Sequence, residues 1–299
     1  MPIRYPAILE MAERNQELSY SEEQTMLYAL AVGMGADPLD ETELAFIYEK
    51  GLKALPTLAS MVAWHAMPSI RQLGLDHSRV LHGAEEITLH GPMPAAAQLI
   101  ADTVIPAVYD KGPARGAIVI RETRLRCSRD GQPVATVRKT FFARGDGGFG
   151  GPSQSAPSLD AIPARPADST IDLPIRADQA ALFRLCGDRN PLHIDPQAAR
   201  AAGFPAPILH GLCTYGFTCR AVLKSFGCND PNVIESQAAR FVAPIYPGET
   251  LRVEMWRDGE TVSFRGSASA RGDRTIVHGK TVLRTWCSKA DVTSPRTSG

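Results

Sequence analysis

Three residues in the second half of the chain have types and positions suited to proton transfer with a water molecule. Asp188 and His193 lie five residues apart around an Asn-Pro step, and Gly211 directly follows a second histidine, His210. Carboxylate and imidazole side chains can hold a water molecule and exchange a proton with it. A main-chain N–H at the start of a helix can donate to an oxygen atom that gains negative charge. Together, the three positions supply a base, an acid and an oxyanion donor.

The sequence on either side of the Asp-His segment predicts two short helices that hold it in place. Residues 178–186 predict a helix that has Asp178 as its N-cap and ends before a glycine. Residues 195–203 predict a second helix, which begins with an Asp-Pro pair and also ends at a glycine. Pro191 disfavours helical dihedral angles at Asn190, so irregular backbone is expected between the helices. A segment fixed at both ends suits residues that must keep a set geometry.

Residues 211–226 predict a longer helix that is buried on almost every side. Arg220 and Lys224 are its charged residues, and their spacing places them on one narrow face. The remaining positions are mostly apolar or small, so other elements must surround this helix. The first N–H groups of the helix, beginning at Gly211, would point out of its end with the positive end of the helix dipole behind them.

Runs with the composition of strands occur in both halves of the chain, separated by short turns that contain Gly or Pro. They cover residues 80–90, 98–110, 115–128, 133–144, 235–244, 249–259, 261–273 and 274–286. Apolar residues alternate with polar ones in 118–127, which indicates a sheet with one buried face. The runs therefore predict two antiparallel meanders.

The same order of elements in both halves favours duplication of one α+β unit. A meander that curls around one long apolar helix is the hot-dog arrangement. The predicted fold class is therefore α+β, a double hot-dog of two antiparallel sheets that each wrap a central helix. Residues 41–51 and 55–64 are the candidate helices of the first half, and neither is as uniformly apolar as 211–226. We expect the first central helix to be shortened.

The segment 150–174 has the composition of a linker. It contains five Pro together with Ser, Gly and Ala, and it has few large apolar residues. We therefore predict an N-terminal hot-dog domain over 1–149, a linker over 150–174 and a C-terminal hot-dog domain over 175–299.

Composition argues against several classes of protein. Lys plus Arg and Asp plus Glu both number 32 in the 299 residues, so no overall positive field attracts nucleic acid or an anionic membrane. No apolar run reaches about 18 residues, so no membrane-spanning helix is expected. The six Cys form no C-x-x-C pair and follow no secretory signal. This pattern favours free thiols and a cytoplasmic location.

Common catalytic motifs do not explain the chain. Residues 145–150 fit G-x-G-x-x-G, but the following Pro-rich segment cannot form the helix that a dinucleotide site needs. There is no P-loop, G-x-S-x-G or H-E-x-x-H motif, so nucleotide hydrolase, serine hydrolase and zinc protease functions have no support. The spacing of His and Cys matches no metal site, and Cys213 and Cys219 are expected to pack as small apolar groups.

Asp188 and His193 also have an ordinary structural interpretation. An Asp in a turn often accepts main-chain hydrogen bonds, and a buried His often has satisfied polar partners. The helix start at Gly211 adds a third group. Hydration of an α,β-unsaturated thioester needs a base for the water, a proton for the α-carbon and a donor to the thioester oxygen. The three groups together favour a catalytic site.

Residues 182–211, LFRLCGDRNPLHIDPQAARAAGFPAPILHG, resemble the motif of the hydratase 2 family, the MaoC-like (R)-specific enoyl-CoA hydratases. In the first half, residues 28–35, 81–94, 109–112 and 145–151 also resemble landmarks of this family. The resemblance spans roughly residues 20–287. It implies a double hot-dog in which a degraded first half binds CoA and the second half keeps the catalytic loop.

The resemblance also implies roles for individual residues. Asp188 and His193 would be the catalytic pair that holds one water, Asn190 would help to position the site, and the N–H of Gly211 would be the oxyanion donor. The expected contacts with the acyl-CoA substrate are His82, Gly83, Lys111, Asp188, Arg189, Asn190, Pro191, Leu192, His193, Gly211 and Phe241. Arg189 stands where the family often has an aromatic residue. No metal and no redox cofactor are expected. The protein is expected to form a homodimer.

The implied reaction is reversible hydration of trans-2-enoyl-CoA to (3R)-3-hydroxyacyl-CoA. Hot-dog folds also host thioesterases, so acyl-CoA thioester hydrolysis is one alternative. A protein that binds acyl-CoA without turnover is a second alternative. A narrower relative, such as a mesaconyl-CoA hydratase, is a third.

Overall fold

The computed structural model describes residues 3–66, 73–76, 79–154, 159 and 161–284. The strands are β1 (Ala12–Tyr20), β2 (Val80–Leu89), β3 (Ala97–Asp110), β4 (Ala117–Cys127), β5 (Pro133–Ala143), β6 (Ser169–Pro174), β7 (Ile234–Phe241), β8 (Thr250–Asp258), β9 (Thr261–Ala268) and β10 (Arg274–Leu283). The α-helices are α1 (Glu22–Ala31), α2 (Leu58–Trp64), α3 (Gln179–Phe183), α4 (Pro196–Ala201) and α5 (Gly211–Phe226). Short 3-10 helices cover Ala7–Glu10, Glu41–Phe46, Arg184–Cys186, Pro191–His193, Pro231–Val233 and Ser269–Arg271.

The strands form one antiparallel sheet in which the two halves of the chain repeat the same topology. Across the sheet the order is β1-β3-β4-β5-β2-β7-β10-β9-β8-β6. Counted from each outer edge, β1-β3-β4-β5-β2 and β6-β8-β9-β10-β7 have the same connections. The halves meet where β2 pairs with β7, from Ala84 opposite Arg240 to Thr88 opposite Ser236. The predicted double hot-dog is confirmed, with the difference that its two predicted sheets join into one.

The eight strands predicted from sequence are present, but β1, β6 and α1 were not predicted. β1 is an edge strand with mostly exposed or half-buried side chains, so its sequence lacks apolar alternation. α1 begins with a capping box in which Ser21 and Gln24 bond reciprocally, a signal that the sequence does carry. β6 pairs with β8 from Ser169 to Pro174. The prediction of a linker over 150–174 was therefore wrong for its last six residues, because an edge strand tolerates polar residues and a terminal proline.

The central helices of the two halves differ in length, as predicted. α2 has seven residues and α5 has sixteen. The other helical candidate of the first half forms only the 3-10 helix Glu41–Phe46. Among the described residues, no helix is long and apolar enough to cross a membrane.

The long helix α5 lies in the main core, and all of its residues from Leu212 to Leu223 are buried. Polar groups of α5 form hydrogen bonds with β7 inside the core. The Tyr215 hydroxyl donates to the main-chain carbonyl oxygen of Gln237 at 2.6 Å, and the side-chain amide of Gln237 donates to the main-chain carbonyl oxygen of Tyr215 at 3.2 Å. Cys213 and Cys219 are buried free thiols, as expected. The cysteine at position 287 lies outside the described residues.

The two charged residues of α5 bind the 3-10 helix region of the first half. Arg220 forms a buried ion pair with Glu43, with a closest N–O distance of 2.9 Å. Glu43 also accepts a hydrogen bond from the main-chain N–H of Gly35 at 2.7 Å. Lys224 pairs with Asp40 at 2.8 Å nearer the surface. The narrow charged face predicted for α5 therefore binds the second half of the chain to the first half.

We expect Arg220→Met to lower the free energy of unfolding by about 3–5 kcal/mol, because it leaves the Glu43 carboxylate buried without its main partner. The matched control is Lys224→Met, which removes a half-exposed pair and should cost about 1 kcal/mol or less. Urea denaturation of both variants checks the difference. Equal losses in the two variants would contradict this assignment.

Candidate active site

Hydrogen bonds from main-chain N–H groups of the Asp188 loop to its own side chains fix the conformation of the loop. Gly187 has a φ of 132°, a backbone conformation that favours glycine, and the ring of His65 lies 2.6 Å from where its Cβ would be. The main-chain N–H of Asn190 donates to Oδ1 of Asp188 at 3.1 Å, and Oδ1 of Asn190 accepts from the N–H of Leu192 at 3.1 Å. Asn190 thus orients the Asp188 carboxylate through the backbone, with its own side chain on the exposed rim.

The helices that flank the loop begin at the predicted N-cap residues. Asp195 accepts from the N–H of Gln197 at 2.8 Å and begins α4, as predicted. Asp178 is the N-cap residue of α3, also as predicted, but its side chain makes no capping hydrogen bond. Its carboxylate forms a bidentate pair with Arg176 at 2.8 Å, and this charged partner competes for the oxygens that would bond the helix N–H groups.

Two histidines pack against each other beside Asp188. The rings of His193 and His210 have centroids 3.8 Å apart and planes 30° apart. Nδ1 of His193 donates to the carbonyl oxygen of Ile208 at 2.8 Å, and Nε2 of His210 donates to the carbonyl oxygen of Asp188 at 3.1 Å. A carbonyl oxygen only accepts, so these bonds fix both tautomers. Nε2 of His193 therefore carries a lone pair that can accept a proton.

Burial keeps both rings neutral. It lowers the pKa of His193, although the bond to Ile208 and the nearby Asp188 carboxylate partly offset this effect. Burial and the neighbouring His193 lower the pKa of His210 from 6.5 to about 2. A neutral His193 is the protonation state that a general base requires.

Asp188, His193 and His210 form the one group in the described part of the chain whose types and spacing could hold a metal ion. One ligand atom from each lies within 4.8 Å of the others. Nδ1 of His193 and Nε2 of His210 already donate to main-chain carbonyl oxygens, so each ring has one nitrogen left that could bind an ion. The absence of a required metal or cofactor stays a prediction.

The start of α5 lies next to this group, because His210 is the N-cap and Gly211 is the first helical residue. The ring of Phe241 lies 3.5 Å from where a Cβ on Gly211 would be. The His82 ring packs edge-on against Phe241, with centroids 5.0 Å apart. The structure thus connects predicted residues of β2, β7 and α5 into one continuous surface.

Other predicted contact residues have different environments. A Cβ on Gly83 would lie 2.3 Å from the ring of Phe142, so packing requires glycine there. Nζ of Lys111 donates to the main-chain carbonyl oxygens of Ser153 and Gln154 at 2.9 and 2.7 Å. In the Asp188 loop, Leu192 is half-buried, and two further predicted residues, Arg189 and Pro191, are exposed. Their contacts with substrate stay predictions.

A buried row of charged residues was missed by sequence reasoning. Arg121 of β4, Lys139 of β5 and Glu85 of β2 lie opposite one another in adjacent strands. Each of these residues is 1% exposed. The sequence does carry a signal for Arg121, because it occupies an inward position of the alternating 118–127 segment. The sequence alone could not show that Arg121, Lys139 and Glu85 are neighbours, because they come from three strands whose register is not known in advance.

Comparisons with known proteins match both halves of this architecture. Residues 18–145 match the MFE-2 hydratase 2 N-terminal domain, and residues 158–279 match the MaoC like domain. An enoyl-CoA hydratase of Mycobacterium tuberculosis, ChsH3, is 38% identical over 284 residues, which cover 93% of this chain and 98% of the relative. The chain belongs to the MaoC-like hydratase 2 family.

Two further proteins match most of this chain and most of their own length. The peroxisomal enoyl-CoA hydratase 2 of Arabidopsis thaliana is 36% identical, with 89% of this chain and 91% of the relative covered. The crystal structure of a MaoC-like dehydratase from Phytophthora Capsici superposes with a TM-score of 0.81 at 29% identity, covering 93% of this chain and 97% of that chain. In this hydratase 2 protein the N-terminal match contains the short helix α2, and the MaoC-like match contains the Asp188 loop and α5.

The low pKa of His210 predicts a pH dependence of stability. Between pH 6.5 and about 2 the unfolded chain binds a proton at this position and the folded chain does not. The free energy of unfolding should therefore fall below pH 6.5 by about 1.4 kcal/mol per pH unit for such a group. His210→Gln keeps a donor for the Asp188 carbonyl oxygen but cannot titrate, so its slope should be shallower by that amount. Urea denaturation at pH values between 6.5 and 4.5 measures both slopes; parallel slopes would refute the assignment.

Proposed function

We propose that the protein catalyses the reversible hydration of trans-2-enoyl-CoA to (3R)-3-hydroxyacyl-CoA. The observation that carries the proposal is the grouping of the Asp188 carboxylate, a neutral His193 with Nε2 free to accept, and the start of α5. Membership of the MaoC-like hydratase 2 family supports it, since matched relatives are named enoyl-CoA hydratases.

The start of α5 is suited to bind the thioester oxygen. Because Gly211 is the first residue of the helix, its N–H has no acceptor within the helix, and the positive end of the helix dipole lies at the same place. As charge develops on the thioester oxygen, this N–H would donate to it. Loss of one donor of this kind typically raises the barrier by about 2.7–4 kcal/mol.

Asp188 and His193 would hold the reacting water between them. One water proton passes to this pair while the water oxygen forms a bond to C3 of the substrate. The C2–C3 double bond supplies the electrons that form an enolate-like thioester, and the pair returns a proton to C2. The net change is addition of H and OH to the same face. Closely coupled groups can share the proton, so the role of base belongs to the pair.

Asn190 and His210 would act on the reaction through this pair. Asn190 holds the carboxylate with its N–H, and His210 holds the loop by donating to the Asp188 carbonyl oxygen. The acyl-CoA would lie along His82 and Phe241, which extend the surface from Gly211. Lys111 would meet a phosphate of CoA. Assembly as a homodimer and a cytoplasmic location are further parts of the proposal.

Replacing either member of the pair tests the mechanism. We expect Asp188→Ala and His193→Ala each to lower the hydration rate of crotonyl-CoA by about 100-fold to 10,000-fold, because each removes a proton-transfer group. Loss of absorbance of the enoyl thioester measures the rate. Asp178→Ala, which changes an exposed carboxylate on the same stretch of chain, is the matched control and should keep the wild-type rate. Full activity in both site variants, with unchanged thermal melting, would exclude the assignment.

The product distinguishes the alternatives. Hydration predicts a 3-hydroxyacyl-CoA that chiral chromatography assigns as the R form, with no free CoA. A thioesterase would release free CoA, which a thiol reagent detects. A binding protein would bind crotonyl-CoA with no loss of the enoyl absorbance. Either result would replace the proposed reaction.

A further inference from the structure

The charged row formed by Arg121, Lys139 and Glu85 crosses the inner face of the first-half sheet. Lys139 lies opposite Arg121 on one side and opposite Glu85 on the other. The next residue across the sheet from Glu85 is Ala239 of β7, so the row ends at the junction of the two halves. Charged side chains are rarely fully buried unless they are paired, so each member needs a partner.

Glu85, the acidic member of the row, contacts both Lys139 and His82. One carboxylate oxygen of Glu85 lies 3.4 Å from Nζ of Lys139, and the other accepts from Nε2 of His82 at 2.9 Å. Nζ of Lys139 also donates to the carbonyl oxygen of Ser60 at 3.1 Å and lies 4.9 Å from the centre of the Trp64 ring. Lys139 and Glu85 therefore form an ion pair that is also bonded to groups of α2 and β2, although the Glu85 oxygen nearest Lys139 makes no hydrogen bond.

The guanidinium of Arg121 has no such hydrogen-bonded partner, although it lies within the influence of the Glu85 and Glu13 carboxylates. Both terminal nitrogens, Nη1 and Nη2, are buried and form no hydrogen bond within the described residues. The guanidinium lies over the ring of Phe141, 5.1 Å from its centre. Burial lowers the pKa of Arg121 to about 10, which leaves it charged at neutral pH. A buried cation that presents two free donors on one planar group matches the two oxygens of a carboxylate.

The charged row is connected to the proposed reaction centre along two paths. Through β2, Glu85 binds His82, the His82 ring packs on Phe241, and Phe241 lies against Gly211. Through α2, Lys139 contacts Ser60 and Trp64, and the next residue, His65, lies against Gly187. The charge of Asp188 also acts on Lys139. The contacts through Phe241 and His82 therefore join the reaction centre at Gly211 to this row.

We infer that Arg121 and the charged row form a subsite for a carboxylate carried by the acyl group, so that the preferred substrates are carboxy-enoyl-CoA thioesters. This inference rests on the proposed function. A carboxylate placed here would form a bidentate pair with Nη1 and Nη2 of Arg121, and it would balance the positive charge that Glu85 leaves over. A plain alkyl chain would leave that guanidinium buried and unpaired, which is unfavourable.

Binding of saturated analogues tests the subsite without turnover. Calorimetric titration compares dicarboxylic acyl-CoA with methyl-ended acyl-CoA of equal length across a range of chain lengths. At the best-fitting length we expect the carboxylate to bind at least about tenfold more tightly. Arg121→Met should remove this preference and leave methyl-ended binding unchanged or stronger, and Arg121→Lys should keep part of it. Arg124→Met is the matched control, since Arg124 is exposed on the same strand.

The outcomes separate this inference from the proposed function. Equal affinity for the two series at every length overturns the subsite, whether or not the Arg121 variants fold. Equal weakening of both series in Arg121→Met, or the same selective loss in Arg124→Met, also overturns it. Hydration of methyl-ended and carboxy-ended enoyl-CoA by the wild-type protein is measured separately. If hydration occurs without a carboxylate preference in binding, the subsite alone is rejected. If the wild-type protein hydrates neither methyl-ended nor carboxy-ended enoyl-CoA, the proposed reaction is rejected while the titrations still decide the subsite.

Discussion

The hydrogen bond from Nε2 of His210 to the carbonyl oxygen of Asp188 is the interaction on which the geometry of the site depends. It joins the start of α5 to a loop that lies between two other helices. His210 is completely buried, so water does not compete for this bond. The bond fixes the tautomer of His210, and stacking on that ring orients His193. The proposed base and the proposed oxyanion donor are thereby held in place before substrate binds, which would avoid reorganisation during the reaction.

The duplicated topology gives the two halves different inner faces. A helix rises about 1.5 Å per residue, so the sixteen residues of α5 cover more than twice the length covered by the seven of α2. In the second half, α5 fills the concave side of the sheet with apolar contacts. In the first half the shorter helix leaves part of the sheet to other groups, and this is where Arg121, Lys139 and Glu85 lie. The repeated topology with helices of unequal length thus gives the second half an apolar helical core and the first half a buried charged row.

Periodicity predicted the parts of the fold that bury apolar residues. The alternating strands and the all-round apolar helix at 211–226 were identified because burial imposes a spacing on the sequence. β1 and β6 were missed because edge strands expose much of their surface and need no such spacing. Asp178 occupies the predicted N-cap position, but its carboxylate bonds Arg176, two residues earlier, instead of the helix N–H groups.

The sequence by itself determined the local part of the site. Asp188, Asn190 and His193 lie within one short loop whose glycine, proline and flanking caps fix its backbone, so their proximity follows from spacing. Only the tertiary structure decided which nitrogen of His193 is free and that His210 packs beside it, because these depend on carbonyl groups elsewhere in the chain. The charged row likewise required the strand register, since its members come from three strands. A shift of one residue would turn each side chain to the opposite face, and sequence spacing within a strand does not determine its alignment with the next.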